Sequence, residues 1–283
     1  SYLGRVNYSL NNKYLFTLTG RVDGSSRFGE NNKYAFFPSG SFAWRLSEEK
    51  FLSDSKTINN LKLRTSVGVT GNQEIAVYQS LARLGVNRYT INGEPLVGIS
   101  PNGIANPDLR WERTTQFNVG LDFSLFSGRL NLTTDFYKKV TDDLLLEVQL
   151  PRSSGFSTAL QNIGSVENQG IEFAIDATLL NGPLFWSIGF NAAYNKNEVT
   201  DLGQEERRLI DPGFNLFKGQ AVSALIEGEP IGNFIGYENA GIFSTQEEID
   251  NSAQTGAQIG ARRYVDQNGD GRINDDDRTV IGK

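Results

Sequence analysis

Phe117-Asn118-Val119-Gly120-Leu121-Asp122-Phe123-Ser124-Leu125 alternates apolar side chains with polar or small ones at every step. Successive side chains of an extended strand point to opposite faces, so this stretch predicts a strand with one oily face and one polar face. The same sorting recurs downstream, where Ile171, Phe173, Ile175, Ala177 and Leu179 alternate with Gly170, Glu172, Ala174, Asp176 and Thr178. Working outward, eight segments carry period two: roughly 2 to 10, 13 to 22, 35 to 46, 60 to 69, 113 to 125, 128 to 141, 168 to 179 and 184 to 195. Several reach the roughly 9 to 12 residues that a tilted strand needs to cross a bilayer, which is longer than most globular strands.

The links between these segments alternate in length. Asn11-Asn12, Ser127-Gly128 and Asn181-Gly182-Pro183 are tight-turn sequences, and a medium link at 47 to 59 falls in the same series. The links at 23 to 34, 70 to 112, 142 to 167 and beyond 195 are long. Short turns at one rim and long loops at the other are the asymmetry of an outer-membrane barrel, with the short side periplasmic. Tyr8, Tyr14, Trp44 and Trp186 fall near the short-turn rim, Trp111 and Tyr194 near the long-loop rim, as two interfacial aromatic girdles would require. The expected fold is all-β: an antiparallel transmembrane β-barrel with long extracellular loops. A soluble β-sandwich uses the same alternation and stays open as an alternative.

Composition narrows the function. The 283 residues are 38% hydrophobic and contain no Cys, His or Met. Disulfides, thiolate sites, histidine bases and histidine metal ligands are therefore excluded, and with them most hydrolase and metalloenzyme mechanisms. No apolar run of 18 residues exists to make a helical span. A mean hydropathy of -0.37 does not argue against a barrel, because lumen-facing residues dilute the apolar ones. The net charge of -6 is uneven. Residues 1 to 195 carry 18 basic and 17 acidic side chains, and 196 to 283 carry 9 and 16. With the one dense charge negative, no nucleic-acid partner is expected.

One motif suggests a metal. In Asp266-Gln-Asn268-Gly-Asp270-Gly271-Arg272-Ile273-Asn-Asp-Asp-Asp277, oxygen side chains occupy the first, third, fifth and twelfth places of a calcium-type loop. Asp266, Asn268, Asp270 and Asp277 would ligate Ca2+ through side chains and Arg272 through its carbonyl. Asp stands where the usual bidentate Glu would be, and no long helices flank the loop. The competing reading is an Asn/Asp/Gly-rich surface turn held by its own side-chain to backbone bonds. The run Asp275-Asp276-Asp277 is read as solvated rather than catalytic. Ser244-Thr-Gln-Glu247 suggests a capping box that opens a short helix through Ile249. Arg27, Glu112, Glu172 and Asp176 sit at or near lumen parity, either as path-lining groups or as polar filler. Tyr78, Tyr89 and Phe156 lie in the long links, free either to stack on sugar rings or to pack the loops.

Several ordered motifs resemble the SusC/RagA family of TonB-dependent outer-membrane transporters. They are Asp23-Gly-Ser-Ser-Arg27-Phe28-Gly29 with Phe37-Pro38-Ser39, Trp44-Arg45-Leu46-Ser47-Glu48, Leu63-Arg64-Thr-Ser-Val-Gly68-Val-Thr-Gly71-Asn72, Asn106-Pro107-Asp108-Leu109-Arg110-Trp111-Glu112, Asn162 through Glu172, and Tyr264 through Arg278. The resemblance implies a 22-stranded barrel plugged by an N-terminal domain, energised through TonB, and capped by a SusD-like lipoprotein that captures oligosaccharides or peptides. It places the chain in the bacterial outer membrane, among lipids, with transport rather than catalysis as its activity. On this reading residues 1–195 supply about eight barrel strands. Residues 196–283 supply a further strand and a long acidic extracellular loop, and the plug and final strands are absent because the chain is an internal piece. A TonB-dependent siderophore or cobalamin receptor and a soluble calcium-dependent β-sandwich binding module are the alternatives.

Overall fold

The structure is a computed structural model describing residues 1–203, 207–210 and 222–282, in two compact units, Ser1–Asn197 and Glu198–Lys283. Residues 204–206, 211–221 and Lys283, all within the expected terminal region, lie outside the described residues. Among the described residues no helix is long and apolar enough to cross a membrane.

In the first unit, strands β1 (Tyr2–Leu10), β2 (Tyr14–Gly24), β3 (Tyr34–Arg45), β4 (Ile58–Asn72), β7 (Glu112–Leu125), β8 (Leu130–Asp142), β11 (Ser165–Asn181) and β12 (Phe185–Asp201) form one sheet in that order. Each pair from β1 to β11 is antiparallel. Left-handed backbone at Asn11 and Asn12, with φ of 52° and 57°, makes the first turn, a conformation asparagine tolerates better than most residues.

The two longest links in this unit are not plain loops. They fold into hairpins of their own, β5 (Arg83–Ile91) with β6 (Glu94–Gly103), and β9 (Leu145–Gln149) with β10 (Thr158–Asn162). The first turns at Asn92-Gly93, where φ is 54° and 85°. That dipeptide is a hairpin signal, but β5 and β6 carry apolar residues on both faces, so one-sided alternation does not reveal them.

Register turns seven of these alternations into two continuous faces. Asn7, Thr17, Ser41, Ser66, Asn118, Tyr137 and Gly170 are successive cross-strand partners from β1 to β11. A second row is formed in the same way by Tyr8, Phe16, Phe42, Thr65, Val119, Phe136 and Ile171. The rows lie one residue apart along every strand, so one faces each way. The apolar row is uncovered: Tyr8 is 57% exposed and Ile171 is 51% exposed. A sandwich buries such a face against a second sheet, whereas a barrel gives it to lipid.

The second unit holds a four-stranded sheet, β13 (Arg207–Ile210), β14 (Ser223–Ile226), β15 (Asn233–Tyr237) and β18 (Arg278–Gly282), and a two-stranded one, β16 (Asn239–Ile242) with β17 (Arg262–Tyr264). Among the described residues the eight-stranded sheet ends at β12, which reaches Asp201. The short helix α1 (Gln246–Asp250) is capped one residue later than the sequence suggests. Thr245 accepts from the Glu248 amide, and the Glu248 carboxylate accepts from the Thr245 and Ser244 amides.

Candidate functional site

The polar face carries a compensated charge network at the junction of β4, β7 and β8. Lys62 stands directly opposite Asp122, and Arg64 opposite Gly120, which in turn faces Asp135. Lys62 Nζ lies 2.7 Å from Asp122 Oδ2. The Arg64 guanidinium donates to Asp122 through Nε and Nη2, each at 2.9 Å, and Nη2 reaches Asp135 Oδ2 at 3.0 Å. Gly120 makes the fan possible, since a Cβ there would stand 2.6 Å from Arg64 Nη2. These two cations and two anions carry no net charge among themselves. None of the four stands out in the sequence, because their proximity depends on register between strands up to 71 residues apart.

The four residues expected at lumen parity divide. Glu172 and Asp176 lie on the polar face, paired across β8 with Asp135 and Asn131. Glu112 opens β7 at the parity of Asn118 and, like Arg27, fastens a link. Arg27 donates to the Gln73 carbonyl and its own carbonyl accepts from Ser80. Glu112 accepts from the Leu145 amide and from Asn72. Near the same end a hollow of about 860 Å³ opens on the polar face, lined in part by Arg5, Thr19, Arg21, Asp23 and Thr70. Its surface can hydrogen-bond a hydrated solute.

At the short-turn rim, aromatic rings form a band: Tyr8 and Phe16 are 6.4 Å apart, Phe16 and Phe42 5.0 Å, and Tyr14 and Trp44 6.2 Å. The polar tips of Tyr14 and Trp44 converge, with the Lys13 ammonium, on one carboxylate in the β3–β4 link. Tyr14 Oη donates to Glu49 at 2.8 Å, Trp44 Nε1 at 3.1 Å and Lys13 Nζ at 3.1 Å. The Tyr14 bond, followed by those from Lys13 and Trp44, holds the Glu49 carboxyl below its ordinary range. Rings toward lipid with polar ends toward water is the interfacial arrangement.

Trp186 and Tyr194, at 55% and 69% exposure, share the apolar parity of β12. Gly189, of the opposite parity, faces Asp176. Trp111 does not belong to a girdle, contrary to the sequence expectation. It is 6% exposed and packs against Phe28 at 5.4 Å and Phe37 at 5.5 Å, in a cluster with Leu109 and Ile75. It precedes β7, so strand parity does not govern it.

In the 266–277 loop the spaced oxygens hold the backbone. Asp266 accepts from the Gly269 and Gly271 amides, Asn268 from Asp270, and Asp270 from Arg272. Asp277 is fully buried and accepts from the Gln267 and Asn274 amides. The Asn274 bond first, then those from Gln267 and Asn268, keep its carboxyl below the ordinary range against desolvation. Among the described residues no three acidic side chains gather where one metal ion could sit. Asp277 also interacts with the Asp266 side chain, so the first and twelfth positions of the spacing are neighbours in the folded loop.

Residues 1–278 match the family described as TonB dependent receptor-like, beta-barrel. The chain is 41% identical over its whole length to TonB-dependent receptor P3 of Formosa agariphila, and 36% identical to TonB-dependent receptor SusC of Bacteroides thetaiotaomicron. It spans 28% of the length of each of these curated relatives. Among solved structures it is similar to the RagAB peptide transporter, with a TM-score of 0.77 and 30% identity over 99% of this chain and 29% of that one.

Proposed function

The chain belongs to the TonB-dependent receptor-like β-barrel family, an outer-membrane family, and we propose that it is a wall section of an importer for oligosaccharides or peptides. The register-matched faces carry this reading: one row is apolar at every position but Thr65 and suits lipid, and the row one residue away is mostly polar and suits a wetted path. Similarity to SusC and to the RagAB peptide transporter supports import of oligomers. It also supports capture by a SusD-like lipoprotein at the long-loop side and energy supplied through TonB. Transport, not catalysis, is the activity proposed.

Uptake tests it. Cells expressing the full-length protein should accumulate a fluorescently tagged oligosaccharide or peptide, and deletion of TonB should abolish this. Undiminished uptake without TonB would overturn the reading.

A Ca2+ ion in the 266–277 loop is a separate proposal, supported by the spacing of Asp266, Asn268, Asp270, Arg272 and Asp277.

A further inference from the structure

The two hairpins that rise from the long-loop side enclose a cleft of about 150 Å³. Gln79, Arg83 and Asn102 line it from the β5–β6 side, and Glu147, Phe156 and Thr158 from the β9–β10 side. Its base is fastened by pairings between the two links. The Arg110 amide donates to Asn162 Oδ1, Asn162 Nδ2 returns to the Arg110 carbonyl, and Asn106 Nδ2 donates to the Leu160 carbonyl. Arg110 also forms a forked ion pair with Asp143, at 2.6 and 3.0 Å.

Two glycines shape one wall. A Cβ at Gly103 would stand 2.9 Å from Arg83 Nε, and one at Gly85 would stand 2.8 Å from the Asn102 Cβ. Both polar side chains therefore lie flat against bare backbone. Among the described residues neither Arg83 nor Glu147 has an ion-pair or side-chain hydrogen-bond partner, although both line this cleft. One free guanidinium, one free carboxylate, two carboxamides and a hydroxyl offer donors and acceptors in balance, with no net charge, beside one phenyl face. The volume is below the roughly 300 to 1,000 Å³ of a site for a whole ligand, so it accepts one unit of a larger one.

We propose that this cleft is a subsite for a single neutral sugar ring of an oligosaccharide, with Phe156 facing its C–H surface and Arg83, Glu147 and Asn102 bonding its hydroxyls. The lining is mostly hydrogen-bonding groups with one ring, which suits a polyhydroxylated unit, whereas an apolar peptide side chain would meet few apolar walls here. The proposal rests on the importer reading above and names the class of cargo.

The experiment uses the full-length protein, purified in detergent, on an array of immobilised oligosaccharides and peptides of defined sequence. The wild type should bind oligosaccharides. Phe156→Ala and Glu147→Gln should each weaken that binding about tenfold or more, the loss of one good contact. Gly103→Ala, which displaces the Arg83 guanidinium without removing it, should reproduce the loss seen with Arg83→Ala. Lys56→Ala, in the β3–β4 link at the short-turn rim, should not change it. Unchanged binding in the cleft variants, or retention of peptides alone, would overturn the subsite. TonB-dependent uptake measured on the same variants keeps the two readings apart, since uptake that persists while array binding is insensitive removes only the subsite.

Discussion

Arg64 lies directly across the β4–β7 pair from Gly120, and its guanidinium occupies the space a side chain there would take. From that position it reaches both Asp122 and Asp135. Gly120→Ala should displace the guanidinium and cost about 1 to 3 kcal/mol, as overpacking usually does. Urea unfolding of the full-length protein in detergent measures it, and an unchanged midpoint would show that the fan is dispensable.

The two faces should respond unequally to charge. Arg in place of Val119 or Ile175, on the apolar face, should cost on the order of 2 to 4 kcal/mol near mid-membrane. Arg in place of Asn118 or Ala174, one residue away on the polar face, should be milder. Folding yields into lipid vesicles compare the four variants, and equal losses would refute the face assignment.

The three tryptophans should separate by environment. Brominated lipids should quench Trp44 and Trp186, and leave Trp111 bright inside its cluster with Phe28 and Phe37. Variants retaining one tryptophan each make the comparison direct. Lipid quenching of Trp111 would return it to the girdle.

Glu49 should remain ionised in mild acid. A carboxyl held below its ordinary value of 4.5 contributes stability that is fully present above that value and is lost as pH falls through the lower folded-state one. The emission of Trp44, in a background without the other tryptophans, should therefore hold steady from neutrality to about pH 4.5 and change only below it. Glu49→Gln should remove the transition.

The terminal loop should keep its shape in a chelator, because backbone amides hold its oxygens. Asp277→Ala should speed hydrogen exchange at Gln267 and Asn274, whose amides lose their acceptor. Added Ca2+ is expected to bind at about 10⁻⁴ to 10⁻³ M, and Asp266→Ala with Asp270→Ala should abolish it. Calorimetry without calcium-dependent heat would falsify the metal proposal.

Alternation is a local property, so Phe117 to Leu125 and Ile171 to Leu179 declare strand and face without reference to any neighbour. Asn11-Asn12 likewise declares its turn, because the left-handed backbone is a preference of those residues. The sequence by itself therefore determined that the chain is built of long two-faced strands joined by short turns on one side and long links on the other. Register belongs to the tertiary structure: a slip of one residue would turn every apolar side chain to the other face, and only pairing brings Arg64 to Asp135 across 71 residues of chain. Trp111 has a strand-like parity and lies outside the strand, so only packing against Phe28 and Phe37 reveals its place. The calcium-type spacing is plain to read, but the backbone amides its oxygens hold, those of Gln267 and Asn274 on Asp277 among them, belong to the folded loop.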